Sequence, residues 1–460
     1  MTTLWSGRFE KGPDLRTLEW GSSFSFDRRF FEDDVKGSRA WARALGRAGV
    51  LSSNEQRDID HALSDILDRG LADPAFVDGP DEDVHSFVER MLVDRLGDAG
   101  RKLHTGRSRN EQVSLDLRLY LRRRIRSLRE GVREVVAALL RQATASGDAL
   151  MPAFTHFRPA QPVLVAHFFL AHAAALRRDE ARFAFADREA DALTLGSGAI
   201  AGTSYAIDVE TLAADLGFSR VVANSIDASS DRDFAASFIY ACSLTMVHLS
   251  RLAEDLIILC GDEYHFFELS DELSTGSSMM PQKKNPDPLE LVRGKSGRAI
   301  GNLVALLTTM KGLPSGYNKD LQEDKHAVFD ADDTAAGCLA VGKAVVDGLT
   351  LNRARGEALA TGLLLATDVA DYLVEQGVPF RRAHEIVGGL VSRLVKEGRD
   401  FSSLTSDEWQ NASDRFGGDI SERITSRMSV SAKRTPQSTA PAAVAASMAE
   451  LQRWLEGPID

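Results

Sequence analysis

The sequence predicts an all-α protein built on a bundle of long helices, and three observations carry that reading. Segments 111–145, 163–190, 230–262, 286–312 and 326–350 each hold apolar residues at helical spacing over many turns. Apolar residues make up 43% of the chain and aromatics only 7%, a balance rich in Ala and Leu that leans helical. No strand-rich block, internal repeat or low-complexity tail interrupts the pattern. Five long amphipathic helices joined by polar loops make an elongated bundle. Their apolar content exceeds what one five-helix layer hides, which predicts a symmetric homo-oligomer.

Length and charge bound the function. At 460 residues the chain exceeds one ordinary core and divides into two or three domains. A formal charge of −12 excludes a protein made to coat nucleic acid or an anionic membrane. An anionic small molecule would need a local positive site. The odd cysteine count, Cys242, Cys260 and Cys338 without a C-x-x-C pair, argues for reduced thiols in apolar helices, not disulfides or zinc. The start MTTLWSGRFE has no apolar leader and no segment matches a membrane span, so a cytoplasmic location is expected.

The first hundred residues mix short helical patterns with Gly, Pro and Asp. Leu4–Phe9 and Gly21–Arg28 read as irregular ordered segments, 28–48 and 54–69 as helices, and Asp83 as a helix cap. Lys102–Asn110 is a dense polar turn ahead of the first long helix, either a basic cap or an anion clamp. Residues 152–162 carry three prolines around Thr155 and His156 and read as a loop. A lone His is more often structural than catalytic, but one pinned on such a loop is neither a core residue nor freely solvated. His167 and His172, five apart on the next helix, do not share a face, so no metal site is read there. The glycine-containing stretch 195–205 lacks the strand and βαβ context of a dinucleotide loop and reads as a tight connection with close backbone packing. Residues 223–233 form a further polar cluster before a helix apolar enough to be buried on most sides.

Residues 271–290, DELSTGSSMMPQKKNPDPLE, concentrate the chemistry. Ser274–Ser278 is small and polar, a mobile loop, and Met279 and Met280 are suited to dock it on apolar surface. Gln282, Lys283, Lys284 and Asn285 follow, then Pro286; Asn at the cap and Pro at the first position predict a helix start. Free N–H groups, a positive dipole end and ammonium groups together favour an anion, and a substrate rich in carboxylates would suit them. On composition alone, the run reads first as a solvated surface loop with an ordinary basic patch. Beyond it, Glu290, Gly294, Gly297 and Gly301 share one helix face. Glycine costs about 1 kcal/mol in a helix against Ala, so the stripe predicts another backbone close along that face. Glu290 is then expected to face packed interior and to need a partner such as a His. A last polar stretch, 311–325, holds Tyr317, Gln322 and Lys325, and shorter amphipathic helices follow residue 351.

The order of residues in G-S-S-x-M-P-x-K-x-N-P at 276–286 resembles the signature of the fumarase/aspartase superfamily. His104–Asn110 (HTGRSRN) and Tyr317–Lys325 (YNKDLQEDK) are similar to the argininosuccinate lyase/δ-crystallin branch, and the resemblance spans essentially the whole chain. It implies an all-α homotetramer with a shared helical core, each site assembled from three chains, and three domains: 1–110, a central bundle 111–360, and 361–460. It implies cleavage of argininosuccinate into arginine and fumarate, with no metal or organic cofactor. By resemblance Ser277 is the base and His156, paired with Glu290, the acid. Ser23, Asn110, Thr155, Asn285, Tyr317, Gln322 and Lys325 fall on substrate-binding positions, with Ser108, Arg109 and Lys283 as further carboxylate contacts. The alternatives are another fumarate-releasing lyase of the superfamily and an inactive crystallin-like structural protein.

Overall fold

The computed structural model describes residues 14–459, so the Leu4–Phe9 expectation lies outside the described residues. The long helices are present: Arg109–Ser146, Val165–Ala190, Asp233–Cys260, Asp287–Met310 and Asp324–Asp347. Strands are confined, among the described residues, to three two-stranded pairs.

The chain divides into two compact units. The first takes residues 14–129, Ala181–Leu244 and Gly297–Ala336. Its early helices are set by local signals. Ser52 and Glu55 form a capping box at the start of Ser53–Ala72. Asp83 accepts the Ser86 N–H at 2.8 Å at the start of Val84–Leu96, as predicted for a cap. Trp41, Leu45, Leu63, Phe87 and Leu92 bury their side chains between these helices and Phe31–Arg47. The 195–205 stretch is a tight connection: Gly198 has φ +60°, and a Cβ there would stand 2.5 Å from the Gly202 carbonyl oxygen, so only glycine fits. Asp233–Cys260 buries Phe234, Phe238, Cys242 and Leu249, as its apolar composition requires.

The second unit takes Glu130–Glu180, Thr245–Ser296 and Gly337–Asp460. Its C-terminal helices close a core of their own around Val369, Leu373, Leu394, Phe401 and Trp409. The last helix, Pro441–Glu456, is tied back by Arg133, which stacks on Trp454 and donates to the carbonyls of Gly457 and Pro458. Cys242 and Cys338 are buried and Cys260 is half-buried, all three as free thiols.

Three local expectations are corrected here. Residues 152–162 are not a loop: Leu150–Thr155 and Arg158–Leu164 pair as an antiparallel hairpin with a register shift at Ala153/Phe154. Proline is tolerated because each strand of a two-stranded ribbon has a free edge. The helix after the Ser277 loop begins at Asp287, and the Pro286 carbonyl accepts its first bonds, because Asn285 is held upstream in a strand pair with Thr275. Glu290 is exposed, and among the described residues nothing beyond the helix's own backbone lies within 4 Å of a Cβ built at Gly294, Gly297 or Gly301. Leu291, Ile300, Val304 and Leu307 of the same helix are exposed as well. The backbone predicted against that stripe is therefore not supplied by the described residues.

Candidate active site

In the first unit, Ser23, Arg109, Asn110, Tyr317, Gln322 and Lys325 line one cavity of about 90 Å³ together with Asp27, Asp83, His85 and Lys319. Residues remote in sequence reach it because the turn before Phe24–Asp27, the start of Arg109–Ser146 and the start of Asp324–Asp347 meet there. Ser23 Oγ donates to Asp27 Oδ2 at 2.5 Å, and the Val84 N–H donates to Asp27 Oδ1 at 3.0 Å. Lys325 is buried beside Asp324 at 2.8 Å and donates to the Leu321 carbonyl at 3.1 Å. Burial holds its amine below the ordinary lysine range despite Asp324. Gln322 donates to the Gly21 carbonyl at 3.3 Å, and burial pushes the Tyr317 phenol up to about 12. Arg109 stands 3.0 Å from Asp83 and 3.6 Å from Glu82, so much of its charge is already answered within the chain.

Ser108 does not line the cavity but braces the turn that does. Its N–H donates to Glu111 Oε1 at 3.0 Å, and its Oγ accepts the Asn110 N–H at 3.3 Å. Glu111 Oε2 accepts the Gly198 N–H at 2.9 Å, tying the 108–110 turn to the glycine-containing connection. Burial pushes the Glu111 carboxyl up to about 7. Glu111 was readable: Ser108-x-x-Glu111 is a capping-box spacing.

Asp27, also missed, is a titrating group of this cavity, with its pKa pushed up to about 6 by burial. An acid whose folded pKa is raised contributes stability below its unfolded value of 3.8 that is lost as pH rises through about 6. The full change is about 3 kcal/mol. Asp27→Asn is expected to lose less stability than the parent between mildly acidic and neutral pH, as followed by denaturant unfolding; parallel curves would refute the assignment.

The other predicted residues, Thr155, His156, Ser277, Lys283, Asn285 and Glu290, belong to the second unit. His156 and Phe157 form the two-residue hairpin turn, at φ 53° and 55°. Left-handed backbone at two successive non-glycine residues costs energy and is typical of a tip whose side chains are needed. Thr155, His156 and Phe157 are all exposed there.

Thr275–Gly276 pairs with Lys284–Asn285, so 277–283 is the loop of a short hairpin. Ser277 Oγ accepts the N–H of Met279 at 3.3 Å and of Met280 at 3.0 Å. Two donors on one hydroxyl oxygen favour its anionic form. Lys284 is spent on the loop base, 2.8 Å from Asp271 and donating to the Leu269 carbonyl at 2.5 Å, whereas Lys283 is exposed. The Asn285 amide donates to Thr275 Oγ1 at 3.4 Å, and Thr275 donates to Asp287 at 2.6 Å. Met279 and Met280 are exposed and do not dock the loop within the chain. Among the described residues, His156, Ser277 and Glu290 form no hydrogen bond with one another.

Residues 7–301 match the Lyase family model, and residues 363–431 match the argininosuccinate lyase C-terminal model. The chain is 46% identical to an argininosuccinate lyase of Desulforudis audaxviator, across 99% of this chain and 100% of that one. It is 47% identical to one of Pelotomaculum thermopropionicum, across 100% of both. Among solved structures it resembles EDDS lyase in complex with formate, at TM-score 0.84 and 26% identity over 97% of this chain and 91% of that one. An EDDS lyase variant with bound fumarate gives 0.83 and 25% over the same shares.

Proposed function

We propose, from the premise that this chain belongs to the argininosuccinate lyase family, that it splits argininosuccinate reversibly into arginine and fumarate. The observation that carries the reading is the cavity of the first unit, where Ser23, Asn110, Tyr317, Gln322 and Lys325 converge from three distant segments.

Elimination begins with removal of a proton from the carbon next to a carboxylate. That carboxylate then gathers a second negative charge as an aci-carboxylate. The site must stabilise a dianion, which preorganised donors do. Ser277 is the base in this reading. A serine hydroxyl needs a local field to ionise at neutral pH, and the N–H groups of Met279 and Met280 supply part of it. Lys283 and Asn285 stabilise the developing charge from the same loop. His156 delivers a proton to the leaving guanidinium nitrogen, with Glu290 as its partner. Thr155 and Arg109 complete the contacts to substrate, and Ser108 holds the turn that presents Arg109 and Asn110. The reaction asks for no metal or organic cofactor.

The site is completed between copies of the chain in a homotetramer, in which the exposed glycine and aliphatic stripe of Asp287–Met310 meets the helices of other copies. The central region 111–360 forms the shared core, flanked by 1–110 and 361–460, and the assembly works in the cytoplasm. Loop 274–285 closes over substrate and excludes water. The test is an ultraviolet assay for fumarate with argininosuccinate, adenylosuccinate and aspartate offered separately. Fumarate from argininosuccinate is the expected result. Release from either of the others instead would reassign the substrate, and no release from any would leave a structural protein.

A further inference from the structure

Beneath the cavity of the first unit lies a charged cluster to which the proposed reaction gives no role. Asp34 on Phe31–Arg47, His85 on Val84–Leu96 and Asp116 on Arg109–Ser146 are 1%, 5% and 0% exposed. His85 Nδ1 stands 2.7 Å from Asp34 Oδ1 and 3.4 Å from Asp116 Oδ2. A carboxylate oxygen accepts, so Nδ1 carries a hydrogen and donates it to Asp34. The Gln112 amide donates to the same Asp34 oxygen at 2.5 Å. Asp34 Oδ2 and both Asp116 oxygens are buried without a hydrogen-bond partner. Two buried carboxylates at such range require compensating positive charge, or one must keep its proton.

The neighbours bias the charges. Burial, reinforced by Asp34 and Asp33, pushes the Asp116 carboxyl well above the ordinary range and so favours its protonated form. Burial opposes ionisation of Asp34 too, but His85, Arg107 and Gln112 outweigh it. Burial lowers the basicity of His85, and the carboxylates of Asp34, Asp83 and Asp27 more than restore it. Arg107, Arg109, His104 and Glu89 complete the charged and titratable groups around the cluster. His85 lines the cavity with Ser23, Asn110 and Gln322, and with Nδ1 engaged by Asp34 the ring nitrogen left to serve the cavity is Nε2.

We propose that Asp34 holds His85 as an imidazolium whose Nε2–H faces the cavity and donates to an anionic oxygen of the substrate. With Asp116, these residues place three ligand atoms within 4.8 Å of one another, a spacing that a metal ion would also accept. The direct Nδ1–H donation to Asp34 favours the proton over the metal. His85 is thus a further binding residue, and Asp34 a positioning residue that acts through it.

This inference rests on the cavity being the substrate cleft, and the experiment separates the two. In the intact enzyme, His85→Gln should lower kcat/KM about ten- to a hundred-fold, mainly through KM, as loss of a charged hydrogen bond does. Asp34→Asn should move the alkaline fall of kcat/KM to lower pH by about one unit. Because either variant risks misfolding, nitrogen NMR of the histidine-labelled parent supplies an independent reading: His85 should stay doubly protonated above the pH at which an ordinary imidazole has lost its second proton. A neutral His85 there, or pH profiles unmoved in both variants, would overturn the inference. Asn110→Ala and Gln322→Ala report on the cleft itself. If they lose activity while the His85 and Asp34 variants do not, the cleft stands and the inference falls. If none of the four loses activity, the cleft reading falls first. Stoichiometric metal in the parent, absent from Asp34→Asn, would also overturn it by making the cluster a ligand set.

Discussion

Turnover of Ser277→Ala is expected to fall by about 10²–10⁴-fold, the range associated with removal of a general base. Fold and substrate affinity should survive. The side chain is partly exposed, and it accepts two local N–H groups that water can satisfy in its absence. Steady-state kinetics with an unfolding curve separates the outcomes. A loss confined to KM would make Ser277 a binding residue, and parent-like turnover would remove it from the chemistry. The expectation is specific to the hydroxyl oxygen. Among the described residues Ser278, the next residue, holds no comparable pair of donors, so Ser278→Ala serves as the matched comparison.

The second large effect is on stability. Arg232 and Asp324 are both fully buried, with Nε donating to Oδ2 at 2.5 Å, and the Lys325 amine stands 2.8 Å from the other oxygen. Asp324→Ala strands two buried cations. Losing one partner of a buried pair costs about 3–5 kcal/mol, because the remaining charge is left uncompensated, whether or not the pair itself is a net gain over apolar residues. Denaturant unfolding measures it directly, and a loss below about 1 kcal/mol would show that water reaches the site. Since Lys325 lines the cavity, a rise in KM should accompany the loss.

The long helices were legible because their apolar period is a local property that burial only reinforces, as in Asp233–Cys260. The polar clusters were legible as motifs, and the cavity gathers residues from the first and last of them. The hairpin at 150–164 was not, because its turn uses His156 and Phe157 where a glycine or asparagine would have announced it. Its prolines argued against strand, a rule with force only for central strands. Asp27 and His85 were not legible either. Asp27 matters through Val84, 57 residues away, and His85 through Asp34, 51 residues away. Neither separation leaves a trace in sequence spacing. Glu290 was read correctly as sharing a face with Gly294 and Gly297, but the sequence could not say that the described residues leave that face uncovered.

The two donors on Ser277 come from Met279 and Met280, inside the same hairpin loop, and the loop's base is pinned by Lys284 from within the same stretch. The Ser277 hydroxyl and the dipoles that favour its anionic form therefore make one self-contained unit. If the stretch moves as one body, as the proposed closure requires, the oxygen changes what it can reach and keeps its own donors. Changes in the flanking segments would then leave the electrostatics of the tip untouched.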